Sequence, residues 1–293
     1  MDIFLQLLVN GLIAGSIYAL VASGFSLIYS TNKFIYFAHG GAIAFSAYVL
    51  WFLFSKLGLS FGLAVVGAIL FASFLGYLVN AFIFKPLRNQ KTSSVILLIA
   101  SVALLILFES LILILFGADV KTIGFLEVSK GLSLFGFIIT PLQIFILATS
   151  LVLLILLFVF MKKTRLGKAM RAVADNKDVA EIVGISSENI YSWSFVIGSA
   201  IAGIAGVLVG MEQNLDPMMG SSLMVKGLAA AIVGGVGSVP GAILGAFLLG
   251  LVENFGIWYL PSGYKDAIAF VLLFIFLLFR PQGILGIRKR ADI

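Results

Sequence analysis

A single histidine, His39, occurs in 293 residues, and Gly40 and Gly41 follow it at once in the stretch TNKFIYFAHGGA, residues 31–42. One imidazole and no cysteine exclude a histidine- or thiolate-based metal cluster and any disulfide. The acids inside long apolar runs are Glu109, Glu253 and Asp266. An ionisable group at membrane depth is a functional hypothesis by default. Ion coupling needs a relay or a polar cage, however, and Glu109 has no partner in sequence reach; the plainer reading seats it at an interface or against a neighbouring helix. The spacing gives no carboxylate pair inside the apolar runs and no nucleophile beside a base. Gly167-Lys168-Ala169 lacks the upstream glycine and the hydroxyl of a nucleotide-binding loop, so no nucleotide hydrolysis, enzymatic activity or bound cofactor is expected of this chain.

The elements that must position these groups are set by composition. The chain is 61% hydrophobic and 11% charged, with 31 glycines. Soluble domains run about 45–50% apolar and about 25% charged, so this excess cannot be buried in a water-soluble core. A spanning helix takes about 20 apolar residues, and several segments qualify. The expected fold is an all-α integral membrane protein with seven or eight spanning helices in one domain over residues 1–293. Helices are expected over 5–29, 36–56, 60–84, 93–117, 141–161, 191–212 and 264–280, with a less regular segment over 225–256. Pro86 should end the third helix, Ser93 or Ser94 should cap the fourth, and Thr140-Pro141 is a preferred helix start. The first residues lack the basic region of a signal peptide and read as a retained first helix.

Basic residues cluster in three stretches: Lys85, Arg88 and Lys91; Lys162 to Lys177; and Arg280 to Arg290, together 13 of the 19 Lys+Arg. Such clusters mark the cytoplasmic side, so the net charge of +6 reads as topology, not as nucleic-acid binding. Parity then requires 225–256 to enter and leave on the outer side, as a re-entrant hairpin or as two short crossings. It puts the C-terminus inside and, if 36–56 crosses fully, the N-terminus outside.

Two glycine-punctuated segments lie near the two ends of the chain, a pairing that suggests an inverted repeat. In 225–256, Gly234, Gly235 and Gly237 break a helix, and Ser238 can cap another with Pro240 in its first turn. This gives two half-helices at membrane depth. They either line a pathway or pack closely through small residues. At His39-Gly40-Gly41 a broken-helix turn is expected, with the imidazole satisfying freed backbone groups; a direct substrate contact and an interfacial loop are the other readings. The loop 162–190 is too polar for a membrane and too rich in helix formers for a linker. Apolar residues at 169/170, 173, 179/180 and 182/183 give it one helical face that Gly184 can end. It serves as a docking surface for a protein partner or lies on lipid head groups.

Three motifs, in order over nearly the whole chain, carry a resemblance. Gly11-Leu-Ile-Ala-Gly-Ser-Ile-Tyr-Ala-Leu20 is followed by Phe37-Ala-His-Gly40; Gly167-Lys-Ala-Met-Arg-Ala172 runs on to Ala180 and Gly184; and Gly234-Gly-Val-Gly-Ser-Val-Pro-Gly-Ala242 closes the set. The chain resembles the LivH-type permease subunit of branched-chain amino acid ABC importers, with Tyr36 where that family usually has asparagine. The resemblance implies a subunit without catalytic activity that forms half of a translocation path in a bacterial-type inner membrane. It implies a second, related permease, two cytoplasmic ATPases that use ATP, and an extracytoplasmic binding protein that delivers the amino acid. Ser16, Tyr18, His39, Gly40, Gly41, Gly234, Gly235, Gly237 and Ser238 would line the pathway. Gly167, Lys168, Arg171, Asn176, Lys177, Asp178, Ala180 and Gly184 would form the ATPase-coupling element. Related cargoes are urea, amides and other amino acids; a stand-alone secondary carrier is the runner-up within transport, and a membrane-embedded enzyme, against which the missing catalytic constellation argues, is the reading of a different class.

Overall fold

The computed structural model describes residues 3–124, 131–134 and 136–286. Arg288, Lys289 and Arg290 lie outside the described residues. The chain is an all-α bundle: α1 Ile3–Asn32, α2 His39–Trp51, α3 Phe61–Val79, α4 Lys85–Asn89, α5 Ser94–Phe116, α6 Pro141–Lys163, α7 Arg165–Asp175, α8 Lys177–Ile182, α9 Ser187–Glu212, α10 Met219–Gly234, α11 Val239–Gly256 and α12 Lys265–Phe279. A small hairpin, β1 Leu132–Leu134 with β2 Phe137–Ile139, precedes α6. Seven helices are long and apolar enough to cross a membrane, and α10 is a shorter apolar helix. Large apolar side chains such as Leu70, Phe74, Ile106, Ile114 and Phe279 point outward, the inverse of a soluble surface and suited to lipid.

Local chemistry sets most boundaries. Thr140 and Gln143 form a reciprocal capping box, with Pro141 at the first position of α6. Gly117, at φ +83°, ends α5. Ser93 stands at the N-cap of α5 without a side-chain cap bond. Pro86 does not end the third helix as expected. A π-helical turn over Asn80–Phe84 carries α3 into α4, where Pro86 sits in the first turn and its missing N–H is no loss.

The bundle has two distinct ends. At the basic end Arg88 pairs with Glu188 at 3.1 Å and also donates to Asn80 and Asn32. Lys33 Nζ donates to the Ala174 carbonyl of α7. The 280–286 segment joins this end through Ile284 and Leu285 amides bonded to Val233 and Gly234 carbonyls. The three basic stretches, as far as they are described, therefore share one end. At the far end Gln6 bonds both the amide and the carbonyl of Ile138, and Lys121 bridges Leu215 through the backbone. The N-terminal helix thus starts opposite the basic loops, as parity demanded.

Two halves are related by an inverted pairing. α1 and α9 run antiparallel: Asn32 meets Ser194, and Gly24 and Gly198 approach each other backbone to backbone. Each long helix is followed by an irregular segment and a short helix, α2 or α10, and these meet where Gly40 faces Gly220. α3 packs on α9 through Gly76 and Ser199, while α11 packs on α1 through Gly250 and Gly15. Gly40 and Gly220, each the second residue of its short helix, thus face one another where the two halves join.

Candidate functional site: a far-end cavity and a basic-end docking surface

A cavity of about 330 Å³ opens between α1, α6, α9, α10, α11 and the start of α12. That size falls within the range of about 300–1,000 Å³ typical of small-molecule sites. Its polar lining includes Asn10, Tyr18, Gln143, Glu212, Lys226, Asn254 and Lys265; its apolar lining includes Ile13, Ile17, Val209 and Leu223. Beside it Lys226 Nζ lies 2.8 Å from Asp266 and 3.8 Å from the fully buried Glu253. Tyr18 Oη donates to Glu253 at 2.8 Å and accepts from Lys226 at 3.3 Å. Four helices thus converge on one charged cluster. A buried carboxylate persists only when paired and hydrogen-bonded, and Lys226 and Tyr18 supply both.

No carboxylate pair was expected, because Glu253 and Asp266 lie at opposite ends of an irregular stretch. The 257–264 turn brings them together: α11 ends at Gly256, and α12 starts at Lys265 and packs against α10 and α11. Lys226 was the available signal. It is a basic residue in an apolar run that also contains no other charge between Asp216 and Glu253.

Of the pathway residues read from sequence, Tyr18 lines the cavity. Ser16 is buried and turns its hydroxyl to the Ile13 carbonyl of its own helix. His39, Gly40 and Gly41 do not form the turn. The irregular segment is 33–38, entered through Lys33 at φ +58°, and the three residues open α2. Ser101 satisfies that segment by donating to Ile35 and accepting from the Phe37 amide, while Phe34 and Tyr36 pack into Phe84 and Phe195. Gly40 and Gly41 instead allow close packing on Gly220 and Phe108. His39 is buried against Gly24 and edge-on to Tyr36, and neither ring nitrogen has a hydrogen-bond partner among the described residues, so the imidazole does not satisfy freed backbone groups as expected.

The segment 225–256 is broken at Gly234–Gly237 into two helices, as expected, and each of the two is regular. α10 begins earlier, at Met219, and a four-residue turn connects it to α11. Ser238 caps α11 by accepting from the Gly241 amide, with Pro240 in the first turn. The turn lies at the basic end, between Gln282–Gly286 and the end of α1 at Tyr29 and Ser30. Gly234, Gly235, Gly237 and Ser238 therefore stand away from the cavity. Gly234 is explained by close approach to Gly241, backbone to backbone, and Gly235 and Gly237 by their left-handed φ of +113° and +87°.

The basic-end loop holds two helices where one was expected. Asn176, extended at φ −149°, breaks the run and caps α8 by accepting from the Val179 amide. Thr164 caps α7 and accepts from Gly167, whose missing Cβ admits the Phe160 carbonyl. Met170, Val173 and Ala180 face inward on Leu27, Leu157, Ile190, Tyr191 and Val239. Gly184 ends α8 at φ +86°. Lys177 pairs with Glu181, which also bonds Ser187. Lys168, Arg171, Lys177 and Asp178 point outward, together with Val179, Ile182 and Val183, whose exposures are 55%, 83% and 69%. An apolar patch of this kind, rimmed by charge, is a surface for interaction with a protein or a membrane.

The family model for the branched-chain amino acid transport system permease component matches residues 7–277. The chain belongs to that family. It is 36% identical to the high-affinity branched-chain amino acid transport system permease protein BraD of Pseudomonas aeruginosa, over 97% of this chain and 96% of that one. It is 33% identical to the permease LivH of Escherichia coli K12, over the same shares. A probable branched-chain amino acid permease of Methanocaldococcus jannaschii is 30% identical over 96% of this chain and 92% of its own length. Among solved structures, PsaBC from Streptococcus pneumoniae in complex with Fab superposes with a TM-score of 0.53 at 17% identity, covering 95% of this chain and 92% of that one. That likeness concerns the fold alone. The inverted bundle is thus the fold of a transport permease component.

Proposed function

We propose that this chain is a membrane permease subunit of an ATP-binding cassette importer for branched-chain amino acids. The observation that carries this reading is the near full-length relationship to high-affinity branched-chain amino acid permeases. The chain forms half of the translocation path, paired with a second, related permease. Two ATPase subunits dock on α7–α8 at the basic end and use the ATP; this chain holds no cofactor. An extracytoplasmic binding protein delivers the amino acid to the far end. The basic end, including the C-terminal segment, faces the cytoplasm across a bacterial-type inner membrane, consistent with the positive-inside rule.

Movement of α7–α8 reaches the bundle through contacts already described. Met170 and Val173 share one buried cluster with Leu27 and Val239, and Lys33 ties α7 to the break after α1. ATP-driven approach of the docked subunits would therefore shift α1 and α11, two walls of the cavity. The test is affinity purification from native membranes, followed by uptake in vesicles. Two ATPases and a second permease should co-purify, and leucine uptake should require ATP and the binding protein. Asp178→Ala or Gly184→Val should abolish ATP-driven uptake while the chain still inserts. ATP-independent uptake by the chain alone would replace this reading with a secondary carrier.

A further inference from the structure

The charges around the far-end cavity divide into two groups. Lys226 pairs with Asp266 and Glu253, and Tyr18 donates to Glu253 Oε2, leaving Oε1 with the ion pair alone among the described residues. Glu212 and Lys265 also line the cavity, and among the described residues neither has an ion-pair partner within 4 Å. Glu212, at the last position of α9, receives only a 3.4 Å bond from Gln143. Both are partly screened from solvent. A partly buried charge without a counter-charge is unfavourable. One of each sign on a single lined cavity matches a ligand that carries both.

We propose that this cavity is a substrate-binding site for one free α-amino acid with an apolar side chain, held as the zwitterion. The ammonium pairs with Glu212, the carboxylate pairs with Lys265, and the side chain lies on Ile13, Ile17, Val209 and Leu223. The Lys226 cluster positions this site: it ties α10, α11 and α12 together and fixes the start of α12, where Lys265 stands. A dicarboxylate or a diamine would leave one of the two free charges opposed by its own sign. The volume of about 330 Å³ accommodates one small solute. The inference rests on the importer reading above and adds to it a site within this chain, separate from any selectivity of the binding protein.

The test is equilibrium binding of labelled leucine to the purified complete complex without the binding protein. Two half-ligands serve as competitors: 4-methylpentanoate, which lacks the ammonium, and 3-methylbutylamine, which lacks the carboxylate. Unlabelled leucine should compete at least about tenfold better than either, the size expected for one lost charged hydrogen bond. Glu212→Gln should raise the half-saturating leucine concentration about tenfold and leave that of 4-methylpentanoate unchanged; Lys265→Gln should leave that of 3-methylbutylamine unchanged instead. The wild-type competition needs no variant to fold. Equal competition by both half-ligands, unchanged leucine binding in both variants, or uptake-competent wild type that binds no leucine would overturn the site. A complex that neither binds nor takes up any amino acid would overturn the importer reading itself.

Discussion

The crossing of α2 with α10 and the turn from α10 into α11 are both built from glycine, for different physical reasons. At the crossing, Gly40 and Gly220 belong to regular helices, and a Cβ on Gly40 would stand 2.5 Å from the Gly220 carbonyl oxygen. The constraint there is space between two backbones that cannot yield. At the turn, Gly237 has φ +87° and the nearest atom to its Cβ position is 3.6 Å away, on Tyr29. The constraint at Gly237 is backbone conformation, with space to spare, although Gly234 and Gly235 before it are crowded by Gly241 and Gly286. The crossing joins the two oppositely running halves; the turn seals the basic end against the 280–286 segment. A glycine cluster in an apolar run therefore reports close backbone approach or a left-handed turn, and neither one places it on a pathway.

The largest effect should come from the crossing. Gly40→Ala forces α2 and α10 apart along their length, and overpacking of this kind costs about 3 kcal/mol or more because both neighbours are backbone. Gly62→Ala, with nothing within 4 Å of the Cβ position, is the matched control. Melting in detergent should show Gly40→Ala lost or strongly lowered and Gly62→Ala near wild type; equal behaviour would mean that the helices separate freely at Gly40. Gly237→Ala should be milder, about 1–2 kcal/mol, since only the left-handed φ is penalised. A loss at Gly237 as large as at Gly40 would break the distinction between the two junctions.

The spans were legible because membrane length and hydropathy act on a local window, and caps such as Thr140 and Ser238 are local too. The inverted pairing showed only as two glycine-rich segments, since the reciprocal approach of Gly40 and Gly220 spans 180 positions and carries no motif of its own. The extended Asn176 split a helix that periodicity alone joined. The cavity was the least legible. Tyr18, Glu212, Lys226, Glu253 and Lys265 come from five helices, and each alone is an unremarkable interruption of an apolar run. The glycines and Ser238 of the motifs, by contrast, stand at close backbone approaches, left-handed turns and a helix cap.

The smallest effect sharpens the comparison from the turn side. Ser238 accepts from the Gly241 amide at 3.2 Å and starts α11. Its hydroxyl satisfies one of the free amides that every helix N-terminus carries. Ser238→Ala should lower stability by about 1 kcal/mol, seen as a small fall in melting temperature. Ser238→Asp should restore most of it, because a carboxylate accepts the same bond and also favours the positive end of the helix dipole. Leucine binding in the far-end cavity should be unchanged in both variants, since the turn and the cavity sit at opposite ends of α11. If Ser238→Ala instead weakened leucine binding as strongly as Glu212→Gln, the two ends of α11 would be coupled in the resting molecule. The basic-end turn would then belong to the pathway after all, acting through the helix and not by lining the cavity.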